Sequence, residues 1–455
     1  MKVIFANPPY IKDDNSSPEN NFKIRHFIFR HEYRKIPYGE KLYFFIRRLF
    51  GIGTKVRYGI RAGSRWPSTM NQPFGGPPYP FFMGYAASYL KSHGISVNIL
   101  DSIVEEEYSY QKFLEEIKNE CADIVVLETS TPTLEIDLWF AKKVARFTDV
   151  ALAGPHLNKD TVRDVQKECP EIKYFLLGEY VKSSLEMAKT RKPGIYESEV
   201  IRDLDSIDFP FRDYRNAAEY FDPSMPTSKP QLQIYGSKGC PFKCTFCAWP
   251  QTMYFGIVSL RKPQKIAEEI RQAVSKHGYK SIFFDDDTFN IGNDRISKLC
   301  DYLKEIGIPW TMMGRLDSSP NWLFDKMIDS GCVGMRFGVE TFDIGILARV
   351  QKGLERTDFQ ATLTHLSNKY PKVMLHLTMM RDMPGMSEKI QENDMKILKD
   401  LGFSEKNIFR SYQLSRCAPF PGTKLFEEMK KELGEEVLKN FNAYDGAQTT
   451  VMKQS

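Results

Sequence analysis

The chain has 455 residues, 42% of them hydrophobic and 27% charged, a balance that suits a packed globular protein and excludes disordered, collagen-like and single small-module classes. Lysine and arginine number 63 against 58 aspartates and glutamates, and a net charge of +5 over this length does not imply a nucleic-acid partner. No apolar run reaches the roughly 18 residues of a membrane span, and the start MKVIFANPPY lacks a signal-peptide core, so the expectation is a cytoplasmic protein without a transmembrane segment.

In chain order, apolar or β-branched runs at 2–6, 96–100, 123–128, 150–153 and 173–177 predict strands, and patterns at 81–93, 110–120, 134–146, 159–168 and 180–190 predict helices between them. This alternation implies an α/β fold, a doubly wound Rossmann-like sheet over 1–192 whose ligand lies beyond the carboxyl ends of its strands. The loops at those ends carry Pro8-Pro9, Thr129-Ser130-Thr131-Pro132-Thr133, Gly154-Pro155-His156 and Gly178-Glu179. Residues 22–80 interrupt the pattern with twelve lysines and arginines against two glutamates and many aromatics. They read as a solvated insertion with amphipathic helices, or else as a surface facing substrate, lipid or partner. Residues 193–231, rich in Pro, Asp and Tyr, read as a linker.

Alternation then resumes, with strands near 232–238, 280–285, 308–316, 332–340, 372–381 and 407–414 and helices near 263–277, 294–306, 320–330, 355–369 and 387–402. Six βα units predict a (β/α)6 partial TIM barrel over 232–424, with chemistry at the C-terminal ends of its strands, followed by a helical tail over 425–455. Of eight cysteines, three fall within eight residues just after the first of these strands, as Cys240, Cys244 and Cys247. Structural zinc wants four protein ligands, and no second C-x2-C pair follows. Thiolates also hold iron–sulfur clusters, and three of them leave one iron open for another ligand. After the second strand stands Asp285-Asp286-Asp287, at a strand end where a binding site or a helix cap would sit. On the fourth, Arg336, Gly338 and Glu340 alternate and so share a face, where Arg336 suits a carboxylate or pairs with Glu340 itself. Arg315, Arg381, Arg410 and Arg416 near strand ends read as surface ion pairs as readily as ligands. His365 and His376 stay unassigned, and no catalytic acid or base is evident.

C-x3-C-x-aromatic-C, with Phe246 in the aromatic place, after the first strand of a six-unit barrel is similar to the signature of radical S-adenosylmethionine (SAM) enzymes. With a doubly wound domain ahead of the barrel, the chain resembles the cobalamin (B12)-dependent subgroup, the class B radical SAM C-methyltransferases. The resemblance implies a [4Fe–4S] cluster on Cys240, Cys244 and Cys247, with SAM on its open iron. Phe246 would lie near the adenine, Asp286 and Asp287 near the methionine amino group, Glu340 on the ribose and Arg336 at a carboxylate. It implies cobalamin cradled by Pro8, Pro9, Thr129, Ser130, Thr131, Thr133, Gly154, Pro155, His156, Gly178 and Glu179. The D-x-H-x-x-G motif of many cobalamin proteins is absent, which leaves the axial cobalt ligand open.

The implied reaction uses one SAM to methylate cob(I)alamin and a second to form the 5′-deoxyadenosyl radical, so that an unactivated sp3 carbon is methylated. Electrons would come from a donor such as ferredoxin or flavodoxin. The substrate would be a peptide or protein side chain, for instance a glutamine, or a small molecule. The alternatives are a cobalamin-dependent radical SAM cyclase or rearrangement enzyme without net methylation and, more remotely, a non-enzymatic zinc-stabilised binding protein. A methylthiotransferase needs three further cysteines ahead of the barrel, where only Cys121 and Cys169 occur.

Overall fold

The computed structural model describes residues 1–13, 56–60, 68–70, 76–105, 109–197, 199–444, 446 and 450–454. The first sheet comprises β1 (Lys2–Asn7), β2 (Ser96–Asp101), β3 (Ile124–Glu128), β4 (Asp149–Ala153), β5 (Tyr174–Leu177) and β6 (Gly194–Glu197), all parallel, in the order β2-β1-β3-β4-β5-β6. Alternate residues of β1 and β3 feed cores on opposite faces: Ile4 and Val125 on one side, Val3, Phe5 and Val126 on the other. Burial on both faces is why these strands read as unbroken apolar runs. Strand order reverses between β1 and β3, which makes their carboxyl ends the switch-point crevice.

β6 falls inside the segment read as linker. Two of its four residues are exposed, so no apolar run marked this edge strand. The short antiparallel strands Ile11–Asp13, Val56–Ile60 and Ser68–Met70 form a small sheet. The amphipathic helices expected in the basic insertion lie outside the described residues. Among the described residues no helix is long and apolar enough to cross a membrane.

The second sheet comprises β7 (Gln231–Ile234), β8 (Ser281–Phe284), β9 (Trp310–Gly314), β10 (Cys332–Glu340), β11 (Met374–Arg381) and β12 (Arg410–Arg416), parallel and in sequence order. Ile282, Met312, Met335, Phe337, Leu375 and Leu377 point outward into a core shared with helices such as Asn321–Asp329 and Phe359–Lys369. The alternate set points into the barrel, where Phe283, Met313 and Met374 close on Met225.

Met225 belongs to the expected linker, so that segment is a plug as well as a connection. A Cβ on Gly334 of β10 would sit 3.2 Å from the Met225 sulfur. Beside it Asp222 accepts a hydrogen bond from Arg336 Nη2 at 2.6 Å.

Aromatic packing joins the two sheets: Phe81, at the start of the helix Phe81–Ser92, stacks on Tyr235 beyond β7 with centroids 3.7 Å apart. Buried Arg261 adds ion pairs to Asp205 (2.9 Å) and Glu269 (2.6 Å).

Met225→Ala removes the floor of the barrel interior and is expected to lower stability by roughly 2–4 kcal/mol, whereas Met225→Leu changes it by less than about 1.5 kcal/mol; urea denaturation measures both.

Candidate active site

Beyond β7 the chain forms a short antiparallel ribbon, Ser237–Lys238 against Ser259–Leu260, from which the cysteine-bearing loop hangs. Gly239 has φ +78°, and a Cβ there would collide with the Ile257 carbonyl, so the entry to the loop requires glycine. The carboxylates beyond β8 fix this entry. Asp286 accepts from the Gly236 N–H (2.9 Å) and the Ser237 hydroxyl (2.6 Å), and Asp287 accepts from the Gly239 N–H (2.9 Å). Asp286 is fully buried in this role. The acidic run thus anchors the cysteine loop.

Further bonds hold the loop from other sides. Thr245 N–H donates to Val350 O (3.0 Å), Leu425 N–H to Thr245 O (3.0 Å), and Gln251 Nε2 to Cys247 O (2.7 Å). Arg315, expected as an ordinary ion pair, lies with its guanidinium 3.7 Å from the Phe242 ring centroid. It binds Asp317 through two bonds (2.8 and 2.6 Å) and donates to Lys352 O (2.7 Å).

The three thiols share one locality. Burial raises the Cys247 thiol well above its ordinary value, and the neighbouring Cys244 and Cys240 sulfurs raise it further. Burial likewise raises Cys240, whose sulfur is 3.3 Å from Thr288 Oγ1. Three thiolates become tenable in such a place when a cationic centre binds them. Among the described residues no three His, Cys, Asp or Glu side chains converge to hold a single metal ion. Tetrahedral zinc would draw its sulfurs to about 2.3 Å of one atom, whereas a four-iron cube takes each thiolate at a separate corner. Phe246 is buried in the same apolar cluster as Cys244, Met380, Met383 and Cys417.

Glu340 closes β10 at φ +69°, after a register irregularity between Gly338 and Glu340. Its Oε1 accepts from Lys352 Nζ at 2.7 Å, while the buried Oε2 has no partner. A Cβ on Gly338 would lie 2.8 Å from that Oε1 and 2.9 Å from that Nζ, so glycine leaves the pair its space. Lys352 lies within electrostatic reach of the Cys244 and Cys247 sulfurs. Sequence reasoning missed it because it follows the short helix Ile344–Arg349 in a loop that no periodicity marks.

Arg336 sits lower in the barrel, with Nη2 on Asp222 and on the Ser224 hydroxyl and the guanidinium 5.6 Å from the Phe283 centroid. It pairs with the plug and not with Glu340. His376 approaches Ser411 Oγ (2.9 Å) and Gln413 Oε1 (3.3 Å), and burial, reinforced by Arg336, brings its pKa down to about 4. Arg416 pairs with Asp382 (2.6 Å), Arg410 donates to Val373 O (2.8 Å), and His365 meets Asp325 (2.8 Å).

Of the loops expected to cradle cobalamin, three come together. Tyr10 OH donates to Pro132 O (3.1 Å), His156 Nδ1 lies 3.1 Å from Thr131 Oγ1, and a Cβ on Gly154 would collide with Thr129 O. Pro8, Pro9, Thr129, Thr131, Thr133 and His156 are buried, while Ser130 and Pro155 keep some exposure. The loop after β12 and the C-terminal tail approach them: Asn158 Nδ2 donates to Pro421 O (3.1 Å), and the His156 ring lies 4.8 Å from that of Phe441. Burial lowers the His156 pKa to about 3, so its ring is neutral. At the switch point Asn7 Oδ1 is buried without a donor.

Gly178 and Glu179 face elsewhere. Glu179 pairs with Lys238 of the cysteine ribbon and accepts from the Ile201 N–H, and a Cβ on Gly178 would lie 3.0 Å from the Phe255 ring. They join the first sheet to the ribbon.

Residues 234–391 match the family model described as the radical SAM superfamily. The chain carries a radical SAM domain. Beyond it the chain is 25% identical over 374 residues to an uncharacterized methyltransferase of Pyrococcus horikoshii, covering 76% of this chain and 78% of that protein. It is 24% identical over 431 residues to the cytidylyl-2-hydroxyethylphosphonate methyltransferase of Streptomyces wedmorensis, covering 77% of each. Its fold matches the solved radical SAM methyltransferase TsrM of Kitasatospora setae, which has cobalamin and a [4Fe–4S] cluster bound, with TM-score 0.60 at 15% identity over 79% of this chain and 73% of that one.

Within the radical SAM domain, Lys352→Met leaves the Glu340 carboxylate buried and unpaired, and is expected to destabilise by roughly 3–5 kcal/mol. Adding Glu340→Gln recovers most of that loss, as read by denaturant unfolding of the single and double variants.

Proposed function

We propose that the chain is a cobalamin-dependent radical SAM methyltransferase that methylates an unactivated sp3 carbon. The observation that carries this reading is the shared locality of the Cys240, Cys244 and Cys247 thiols, of which Cys244 is buried and the other two are partly buried, set beside a Glu340 Oε2 that lacks a partner. The three cysteines would hold the [4Fe–4S] cluster. Glu340 would take a ribose hydroxyl of SAM on its vacant oxygen, and Phe246 would flank the base. The loops of Pro8-Pro9, Thr129–Thr133 and Gly154–His156 would border cobalamin, with Asn7 Oδ1 accepting from one of its amides. When bound, the cluster and SAM supply a carbon radical and cobalamin carries the methyl group.

The protein's own residues do the positioning. Asp286 and Asp287 hold the loop entry, Lys352 holds the Glu340 Oε1 in a buried ion pair, and the apolar neighbours of Phe246 shield Cys244 from water. His156 is held in place by Thr131 and Phe441. A donor such as ferredoxin or flavodoxin would supply electrons in the cytoplasm, and the substrate would be a peptide or protein side chain or a small molecule.

The test is anaerobic reconstitution with iron, sulfide and cobalamin, followed by incubation with cell extract and SAM deuterated at the methyl group. A brown protein with roughly four irons and a product carrying the labelled methyl are expected, and Cys240→Ala, Cys244→Ala and Cys247→Ala each abolish both. Cleavage of SAM with a substrate-derived product of unchanged carbon count would favour a cyclase. A colourless zinc protein would end the proposal.

A further inference from the structure

β10 is the fourth of six strands and is paired on both edges, and Met335, Phe337 and Val339 on its outer face are fully buried under helices. Arg336 and Gly338, which alternate with them, nevertheless keep part of their surface accessible. On a strand flanked at both edges and covered outside, that exposure arises from the barrel interior, so the lumen is open there. Its floor is apolar, formed by Met225, Phe283, Met313 and Met374. Its roof is the Glu340–Lys352 pair, next to the Cys244 and Cys247 sulfurs. The walls between are polar: Arg336, Thr378, His376, Ser411 and Gln413.

Within this chamber Arg336 is incompletely satisfied. Asp222 and Ser224 both engage Nη2, while the buried Nε has no acceptor. The donors gather on one oxygen of Asp222, whose Oδ1 also accepts from Ser224 N–H (3.1 Å), while the single Ser224 hydroxyl proton lies between Oδ1 (2.8 Å) and Oδ2 (3.0 Å). His376, the register partner of Arg336 on the next strand, is engaged with Ser411 and Gln413 of the strand beyond it. A desolvated guanidinium N–H without an acceptor is unfavourable, and a carboxylate is the partner whose geometry and charge match it best. The four residue steps of strand from Arg336 to Glu340 span roughly 13 Å, a depth for a small molecule or one extended side chain.

We infer that this lumen is the substrate pocket and that Arg336 anchors a carboxylate of the substrate near the floor, directing its less polar end toward Glu340 and the cysteine loop. The inference rests on the proposed reaction and narrows its substrate to a carboxylate-bearing small molecule or side chain. Arg336 then serves the substrate and not the SAM carboxylate to which the sequence pointed.

Isothermal titration of the reconstituted holoenzyme with SAM present, its iron and cobalamin content measured, tests this with the carboxylates acetate through hexanoate and the matching primary amides. The carboxylates are expected to bind at least about tenfold tighter than the amides. The double variant Asp222→Asn with Arg336→Gln, which removes both charges and orphans neither, is expected to lose that preference at unchanged SAM affinity. Arg336→Lys keeps the charge but loses the planar fork, and is expected to stay folded and bind carboxylates about tenfold more weakly.

Equal binding of amides, absence of carboxylate binding, or an undiminished preference in either variant overturns the inference. So does a fall in SAM affinity in the double variant, which would assign Arg336 to the SAM carboxylate. A loaded holoenzyme indifferent to carboxylates sinks the inference alone, whereas failure to take up iron or cobalamin sinks the proposed function with it.

Discussion

The structure turns on two carboxylates that grip a backbone. The cysteine loop hangs from a ribbon of only two residue pairs, and Asp286 and Asp287 fix its entry through the Gly236 and Gly239 N–H groups and the Ser237 hydroxyl. Charged acceptors on backbone donors are among the stronger hydrogen bonds, and low local dielectric strengthens them. The end of β8 therefore dictates where Cys240 stands, and with it where the other two sulfurs fall. An acidic run beside three thiols could suggest repulsion, but these acids act on the peptide groups.

Other buried charges tie separate elements to that loop. Lys238 in the ribbon pairs with Glu179 from the first sheet, Arg315 clamps Lys352 O and packs on Phe242, and Lys352 itself pairs with Glu340. Isolated buried ion pairs are poor sources of stability, because desolvation opposes their attraction. Their value here is geometric, since each fixes the distance between two elements that surround the cysteine loop. The pair of Arg336 with Asp222 does the same for the plug, and the floor of the barrel follows from it.

Much of this was legible beforehand. Strands buried on both faces write continuous apolar runs, so β1, β3 and β4 could be placed, and three cysteines within one turn have few structural explanations. β6 escaped because an edge strand of four residues carries no such run. Met225 escaped because a plug has no period, and Lys352 because a buried cation looks like any surface lysine until Glu340 is found opposite it. Asp286 and Glu179 stood at the expected strand ends, yet tertiary partners redirected them to the cysteine loop and its ribbon. Sequence locates a strand end; it does not say which way the side chain there turns.

The central claim is that Cys240, Cys244 and Cys247 hold an iron–sulfur cluster with one iron open to SAM. Electron–nuclear double resonance on the reduced, reconstituted protein with SAM isotopically labelled at its amino nitrogen and carboxylate tests it most directly. The account predicts hyperfine coupling from both labels to the cluster, absent when any one of the three cysteines is replaced. A cluster signal that ignores labelled SAM, or persists without one of these cysteines, would contradict it.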